Sequence, residues 1–398
     1  MIHISNRAKQ LQPSATLGMA ARVRKLKAEG VDIISFAVGE PDFETPEHIR
    51  EVGKKAIDEG LTRYTPSNGI PELRAAVREK LKADNGLSYS DDEITITCGA
   101  KQAIYDALQV IVDPGDEVIV PAPYWVSYPD QVILAGGVPK ILNADQADAF
   151  RVAPEQLAKA ITPKTRAVIL NYPSNPSGSS YGRGQFEQLG RVIAEKKIAV
   201  ISDEIYEKLL YTGERHCSIA EACPECKDLT LVINGVSKAY AMTGWRMGFA
   251  AGPKTVISKM TGLISQQNSG IPGFVQKACI EALKGPQDEV ENMRREFNAR
   301  RDLMLEGILS IPGMRCHAPD GAFYLLPDIK AYLGRSWKGS KIADAGALAD
   351  YLIEEAHVAT VGGDPFGAPG FIRLSYATSR PKIEEGVARL SKALSRLA

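Results

Sequence analysis

The sequence has no long apolar segment and no excess of charge of either sign. Its 398 residues include 48 basic and 48 acidic side chains, which cancel. No apolar run approaches the roughly 18–20 residues of a membrane-spanning helix, and the balanced charge favours neither a nucleic-acid nor a membrane partner. The first residues, Met1 to Arg7, lack the apolar core of a signal peptide. We therefore expect a cytoplasmic protein with no nucleic-acid or membrane partner.

Cysteine is also scarce. The chain has six cysteines, too few for its length to form a disulfide framework. Cys223 and Cys226 have the spacing of a zinc knuckle, and His216 and Cys217 precede them. No second pair with this spacing accompanies them. We favour ordinary loop thiols over a structural zinc site and expect no bound metal.

Two nucleotide-binding fingerprints, GxGxxG and GxxxxGK[ST], are missing as well. The chain instead alternates predicted strands with predicted helices, which indicates an α/β fold with a mainly parallel sheet. The predicted strands of this sheet span residues 94–97, 117–120, 166–170, 199–202, 229–233 and 247–251.

The length predicts two or three domains. We place the boundary at Gly285-Pro286, where a predicted helix is broken. Residues 46–285 then form a large domain. Residues 1–45 and 286–398 form a smaller domain that mixes strands and helices and is built from both chain ends.

Polar and aromatic side chains follow several of the predicted strands. Trp125, Asn175, Asp203 and Lys238 each come just after a strand end. In parallel sheets, ligands bind at the carboxyl ends of the strands. This shared placement predicts one binding site at that edge of the sheet.

The stretch from Gly235 to Gly248 contains Ser237, Lys238 and Arg246. A half-buried lysine loses its proton near neutral pH more readily than an exposed one, and its amine can then bond a carbonyl cofactor. A hydroxyl and a guanidinium beside it suit a phosphate. From these residues alone, we slightly favour the interpretation that Lys238 and Arg246 are ordinary exposed cations.

A second anion site is predicted at Gly99-Ala100-Lys101, where a strand turns into a helix. Free amides and the helix dipole at such a terminus favour a phosphate. Further upstream, Ser14 or Thr16 could simply be the N-cap of the helix predicted before Gly30.

Taken in order, these motifs resemble the class I/II aminotransferases of pyridoxal phosphate (PLP)-dependent fold type I, and within them the bacterial-type aspartate aminotransferase subgroup. The resemblance implies a large domain with a mainly parallel seven-stranded sheet flanked by helices, and a smaller α+β domain. The stretches that carry it are Val38-Gly39-Glu40-Pro41-Asp42-Phe43, Tyr64-Thr65-Pro66, Pro123-Tyr124-Trp125-Val126-Ser127-Tyr128-Pro129, Asn175-Pro176-Ser177-Gly178, Ser202-Asp203-Glu204-Ile205-Tyr206, Ser237-Lys238, Met242-Thr243-Gly244-Trp245-Arg246, Gly321-Ala322-Phe323-Tyr324 and Ile372-Arg373-Leu374-Ser375.

The resemblance implies roles for residues around the cofactor. Lys238 corresponds to the Schiff-base lysine and proton-transfer base, and Asp203 to the partner of the pyridine nitrogen. Tyr206 and Asn175 correspond to donors to the phenolic oxygen, and Trp125 to the residue against the ring. The phosphate would be held by Gly99, Ala100, Lys101, Ser237 and Arg246, and by Tyr64 of a neighbouring subunit, so a homodimer is implied.

The resemblance also implies how substrate is held. Arg373 and the amide of Gly39 would bind the α-carboxylate, with Trp125 and Asn175 nearby. Lys101 and Thr16 match the pair that recognises the side-chain carboxylate in the bacterial-type subgroup. The predicted loop 265–273 contains no arginine for that role. Asp320 and residues 267–270 depart from the usual pattern, which bears on side-chain specificity.

The implied reaction is ping-pong transamination of aspartate with 2-oxoglutarate, giving oxaloacetate and glutamate. Some relatives with the same lysine and threonine also accept prephenate. Three alternatives stay open: an aminotransferase of another amino acid, a PLP-dependent C–S lyase, and a non-catalytic PLP-binding regulator.

Overall fold

The computed structural model describes residues 2–11 and 13–397. The α-helices are α1 (Asn6–Gln10), α2 (Ala15–Ala28), α3 (Glu47–Asp58), α4 (Pro71–Asn85), α5 (Ala100–Ile111), α6 (Ser127–Leu134), α7 (Pro154–Ala160), α8 (Arg183–Lys196), α9 (Ile219–Ala222), α10 (Lys254–Gln267), α11 (Gly273–Lys284), α12 (Asp288–Leu309), α13 (Ala345–Glu355) and α14 (Arg380–Leu394). The strands are β1 (Ile34–Ser35), β2 (Ile94–Thr97), β3 (Glu117–Ala122), β4 (Val138–Asn143), β5 (Thr165–Asn171), β6 (Ala199–Asp203), β7 (Thr230–Gly235), β8 (Gly248–Ala251), β9 (Tyr324–Leu325), β10 (Ser336–Trp337), β11 (Ser340–Lys341), β12 (Val358–Ala359), β13 (Val361–Gly362) and β14 (Ile372–Ser375).

A seven-stranded sheet organises the middle of the chain, in the order β2-β8-β7-β6-β5-β3-β4. The strands pair in parallel from β7 to β4, whereas β8 runs antiparallel to both of its neighbours. Central strands such as β5 and β7 are buried along almost their whole length, as helices on both faces require. This is the α/β architecture that the alternating pattern predicts.

Register places polar residues together at one edge of this sheet. Asn171 at the end of β5 pairs with Asp203 at the end of β6, and Asp203 pairs with Ile233 of β7. The chain leaves β7 at Gly235 and reaches Lys238 three residues later. The carboxyl ends of three neighbouring parallel strands therefore present the predicted site residues.

A second group of elements packs around its own apolar core. The small sheet β13-β14-β9 lies against α12, α13 and α14, and its core includes Phe297, Tyr324 and Leu374. Ile34 and Phe36, from the N-terminal part of the chain, belong to the same core. The domain boundaries given above stay a prediction.

The secondary structure differs from the sequence-based prediction at two places. The strand β4 was not predicted, because as the edge strand it is only partly buried and contains Pro139. The predicted loop 265–273 begins with the last turn of α10, which continues to Gln267. Of the two N-cap candidates, Ser14 is the cap of α2, since its hydroxyl accepts from the Leu17 amide.

Candidate active site

Lys238 lies in the turn after β7. Its Nζ donates a 2.7 Å hydrogen bond to the carbonyl oxygen of Gly39 and lies 5.7 Å from the ring centre of Phe323. Burial lowers the pKa of Lys238 to about 8; Glu40 raises it, and Arg373 lowers it further. An appreciable fraction of this amine is neutral near physiological pH, which a nucleophile or base requires.

Asp203 ends β6 and is 4% exposed. Its Oδ2 accepts a 2.7 Å hydrogen bond from the hydroxyl of Tyr128, and its Oδ1 accepts the amide of Ile205 at 3.2 Å. Burial raises the pKa of Asp203 to about 6, against the opposing hydrogen bond from Tyr128. A cation placed beside this carboxylate would offset the burial penalty and lower its pKa.

Arg373 on β14 is a buried cation, 2% exposed. Its guanidinium donates to Oδ1 of Asn175 at 3.1 Å and to the carbonyl of Ala37 at 2.7 Å. It lies over the rings of Tyr324 and Phe366, at 4.6 and 4.8 Å. Within residues 2–11 and 13–397, no carboxylate forms an ion pair with Arg373, and its Nε has no partner. A buried guanidinium without an acidic partner is suited to an anionic ligand.

Tyr206 and Tyr324 connect these groups. Their hydroxyls lie 2.9 Å apart, and both side chains are buried. A Cβ on Gly39 would come within 2.7 Å of the Tyr324 hydroxyl, so a glycine is needed at this close approach. Gly39, Tyr206 and Arg373 thus meet around Tyr324.

The N-terminus of α5 forms the second part of the site. The helix begins at Ala100, directly after Gly99, whose φ is 78°. The amides of the first turn of a helix have no intrahelical acceptor. A Cβ on Gly99 would lie 2.5 Å from Nη2 of Arg246, so only glycine leaves room for this guanidinium. Arg246 and the buried Ser237 therefore complete an anion-binding site at the N-terminus of α5.

Lys101, one residue further along α5, faces Trp125. Its Nζ lies 4.6 Å from the centre of the Trp125 ring, and that ring is edge-on to Tyr128. Burial, followed by the charge of Arg246, lowers the pKa of Lys101. Lys101 therefore places a second cation, in addition to Arg246, beside the Trp125 ring.

Two predicted site residues form no hydrogen bond with this cluster in the described part of the chain. In the hydrogen bonds of the described chain, Thr16 pairs with Ser14 at 3.0 Å and with none of the residues above. Tyr64, in the loop between α3 and α4, is 95% exposed.

Tyr128 and Tyr324 are site residues to which sequence reasoning gave no role. Both belong to stretches that carry the family resemblance. In the sequence, each is only an aromatic residue inside a motif, and such a residue indicates core packing as readily as a functional role. Only the geometry places their hydroxyls on Asp203 and Tyr206.

The cysteines near His216 do not form a group of three or more metal-ligating side chains in the described part of the chain. Cys226 donates to the carbonyl of Gly190 at 2.9 Å, and Cys223 lies beside Glu225. His216 points to Glu204 at 3.0 Å instead. Among the described residues, the group with metal-ligand spacing is Glu204, Glu207 and His216, with no cysteine.

No helix within residues 2–11 and 13–397 combines the length and the apolar character that a membrane span requires.

Comparison with known proteins identifies the family. The pattern of aminotransferase class I and II matches residues 31–390. The chain belongs to this aminotransferase family. It is 47% identical to an aspartate aminotransferase of Bacillus sp. (strain YM-2) over 389 residues, 98% of each chain. It is 44% identical to the aspartate/prephenate aminotransferase of Cereibacter sphaeroides over 392 residues, 98% of each.

The aminotransferase also matches solved structures across its length. The crystal structure of the aspartate aminotransferase from Rhizobium meliloti superposes with a TM-score of 0.96 at 42% identity, covering all of both chains. The seven-stranded sheet and the small sheet described above therefore form the fold of this enzyme family.

The enzyme is PLP-dependent, as its family is, and the residues present fit that cofactor. A half-buried amine at Lys238 suits the aldehyde, and the buried carboxylate of Asp203 suits a protonated pyridine nitrogen. The free amides at the start of α5, beside the guanidinium of Arg246, suit the phosphate.

Proposed function

We propose that this enzyme transfers the amino group of aspartate to 2-oxoglutarate, giving oxaloacetate and glutamate by a ping-pong mechanism. The observation that carries the proposal is the buried, acid-free guanidinium of Arg373, close enough to Lys238 to lower the pKa of its amine. The guanidinium of Arg373 is suited to bind an α-carboxylate, and the amine of Lys238 is suited to remove the proton from the neighbouring Cα. The names of the relatives from Bacillus sp. and Rhizobium meliloti support aspartate as the amino donor.

Cofactor binding uses two ends of the site. The amides of Gly99, Ala100 and Lys101, together with Ser237 and Arg246, hold the phosphate. At the other end, Asp203 keeps the pyridine nitrogen protonated by its negative charge, and Tyr128 donates to the same carboxylate and keeps it in place. Tyr206 and Asn175 donate to the phenolic oxygen, and Trp125 packs against the ring.

Bound PLP supplies an aldehyde that condenses with amines and a protonated ring that accepts electrons from the substrate Cα. Lys238 would remove the proton from that Cα and deliver it to the cofactor C4′. A base with a pKa of about 8 is well matched to this step near neutral pH.

The α-carboxylate is held by Arg373, whose planar fork can form two parallel hydrogen bonds. Asn175 holds the guanidinium from one side, and the rings of Tyr324 and Phe366 pack against it. The amide of Gly39 donates to the same carboxylate. This arrangement orients every amino acid substrate in the same way, whatever its side chain.

Lys101, with Thr16, recognises the side-chain carboxylate. A cation in a closing site disfavours an apolar substrate, because its charge would be desolvated without a partner. Prephenate is a second candidate acceptor, since its additional carboxylate can use the same cation. The aspartate/prephenate aminotransferase of Cereibacter sphaeroides, 44% identical, supports this second function.

The working unit is a cytoplasmic homodimer in which Tyr64 reaches the phosphate in the partner's site. The 95% exposure of this aromatic side chain in the single chain supports an interface there. Sedimentation should give a mass twice the 43.1 kDa of the chain. A monomer at micromolar concentration would contradict this assembly.

Glutamate formation from aspartate and 2-oxoglutarate tests the function. We expect the PLP-loaded enzyme to form one glutamate for each aspartate consumed, and Lys238→Ala to form none. Consumption of aspartate with release of ammonia, and without glutamate, would indicate an eliminating enzyme instead.

A further inference from the structure

The turn after β6 presents side chains to two different environments. Along a strand, successive side chains alternate between faces, so Ser202 and Glu204 share the face opposite Asp203. Asp203 contacts Tyr128, whereas Glu204 contacts Ser202. In the sequence of this turn, a glutamate directly follows each of the two proposed cofactor-binding residues: Glu204 follows Asp203, and Glu207 follows Tyr206.

Glu204 is 2% exposed, and three groups hold its carboxylate. Ser202 and Ser218 donate to its Oε1 at 2.8 and 2.6 Å. Nε2 of His216 lies 3.0 Å from its Oε2. The carboxylate therefore has partners on both oxygens, and none of them belongs to the site.

Glu207 is buried in a similar way. Lys80 of α4 forms an ion pair with its Oε1, and Asn85 donates to its Oε2 at 2.8 Å. Lys80 also donates to Oδ1 of Asn85 at 2.7 Å. Burial by itself would raise the pKa of Glu207, but Lys80 and His216 hold it at about 2. The ammonium of Lys80 supplies the positive charge that a metal ion would bring to Glu204, Glu207 and His216.

Stability alone does not account for this network. Burying ions costs several kcal/mol for each charge, and a buried ion pair often contributes no more than an apolar replacement. A fully satisfied polar network does fix one geometry, because its hydrogen bonds are directional. The geometry fixed here is that of the turn carrying Asp203 and Tyr206.

We propose that Glu204 and Glu207 are positioning residues that hold Asp203 and Tyr206 against the cofactor. Glu204 is anchored by Ser202, Ser218 and His216, and Glu207 by Lys80 and Asn85. The inference rests on the proposed roles of Asp203 and Tyr206. It assigns function to a buried cluster on the face of the turn opposite Asp203.

The test compares Glu204→Ala with Glu204→Gln, and uses Glu281→Ala as a matched control. Glu281 also accepts from a histidine, at 2.8 Å from Nδ1 of His48, but lies on α11, outside this turn. Glutamine has the same shape as glutamate and can keep all three contacts. Alanine removes them.

Three readouts are measured: the Kd of the apoenzyme for PLP, the absorbance maximum of the bound cofactor, and the steady-state kinetics with aspartate, which give kcat and KM. For Glu204→Ala we expect about tenfold losses in PLP affinity and kcat, the effect of losing hydrogen bonds to a charged group. The absorbance maximum shifts, and KM changes by less than about twofold. Glu204→Gln restores all three readouts to near the wild-type values.

The inference is overturned if Glu204→Ala and Glu281→Ala give the same PLP affinity, spectrum and kcat. If Glu204→Ala does not fold, His216→Leu removes one anchor and should shift the same readouts in the same direction. A wild-type enzyme that binds PLP without forming glutamate would refute the proposed function. An active wild type with unaffected variants would refute only this inference.

Discussion

Nζ of Lys238 donates a 2.7 Å hydrogen bond to the carbonyl oxygen of Gly39, a residue 199 positions earlier in the chain. The bond joins the proposed proton-transfer base to the loop proposed to bind the α-carboxylate. Because Gly39 also lies against the Tyr324 hydroxyl, a substitution of this glycine should affect substrate binding more strongly than the rate of the chemical step.

Gly39→Ala should raise KM for every amino acid by about tenfold with a smaller effect on kcat, because overpacking of about 1–3 kcal/mol displaces the loop. The cause is the 2.7 Å approach of the new Cβ to the Tyr324 hydroxyl. Steady-state kinetics with several amino acids measures KM and kcat of the variant. Gly184→Ala, where the added Cβ has no atom within 4 Å, is the matched control and should be neutral.

The amine of Lys238 should titrate with a midpoint near pH 8 in the apoenzyme, because burial lowers its pKa to about 8. Below that pH the amine is protonated and unreactive; above it the amine is neutral and is acylated readily. Mass spectrometry of acylated peptides across pH gives the midpoint. Arg373→Leu should move it upward, since the charge of Arg373 lowers this pKa. A midpoint near 10.5, the ordinary value for lysine, would contradict the environment described here.

Arg373→Lys should lower kcat/KM by about 100-fold for aspartate and alanine alike, since a lysine cannot form two parallel bonds to one carboxylate. Both substrates carry the α-carboxylate, so their losses should agree within about threefold. A loss confined to aspartate would assign Arg373 to the side-chain carboxylate instead.

Lys101→Ala should lower kcat/KM for aspartate by about 30-fold or more and leave alanine within about threefold, because only aspartate has a second carboxylate to pair with the cation. A kinetic comparison of the two substrates on one preparation measures the difference. Equal losses would mean that Lys101 serves only the cofactor phosphate.

The rule that parallel strands end at the same edge of a sheet predicts that Trp125, Asn175, Asp203 and Lys238 share one site. The register of β5, β6 and β7 places the strand ends that precede Asn175 and Lys238 beside Asp203. Arg373 could not be reached in this way, since β14 belongs to a separate small sheet, and only the family resemblance indicated it.

Other features depend on tertiary contacts that a sequence pattern does not contain. The hydroxyls of Tyr128 and Tyr324 have functional partners only because distant segments meet. No sequence pattern indicated burial of Glu204 and Glu207, yet both are buried among partners up to 127 positions away. The strand β4 lacks a buried alternating face, which is the signal that marks a strand in a sequence.

Substrate ranking tests the central claim most directly. One preparation of the PLP-loaded enzyme is assayed with 2-oxoglutarate against aspartate, alanine and tyrosine, and with prephenate against glutamate. The account predicts that kcat/KM for aspartate exceeds that for alanine and for tyrosine by about 100-fold or more, as expected for a charged pair formed with only one of them. A kcat/KM for alanine or tyrosine equal to or above that for aspartate would contradict it.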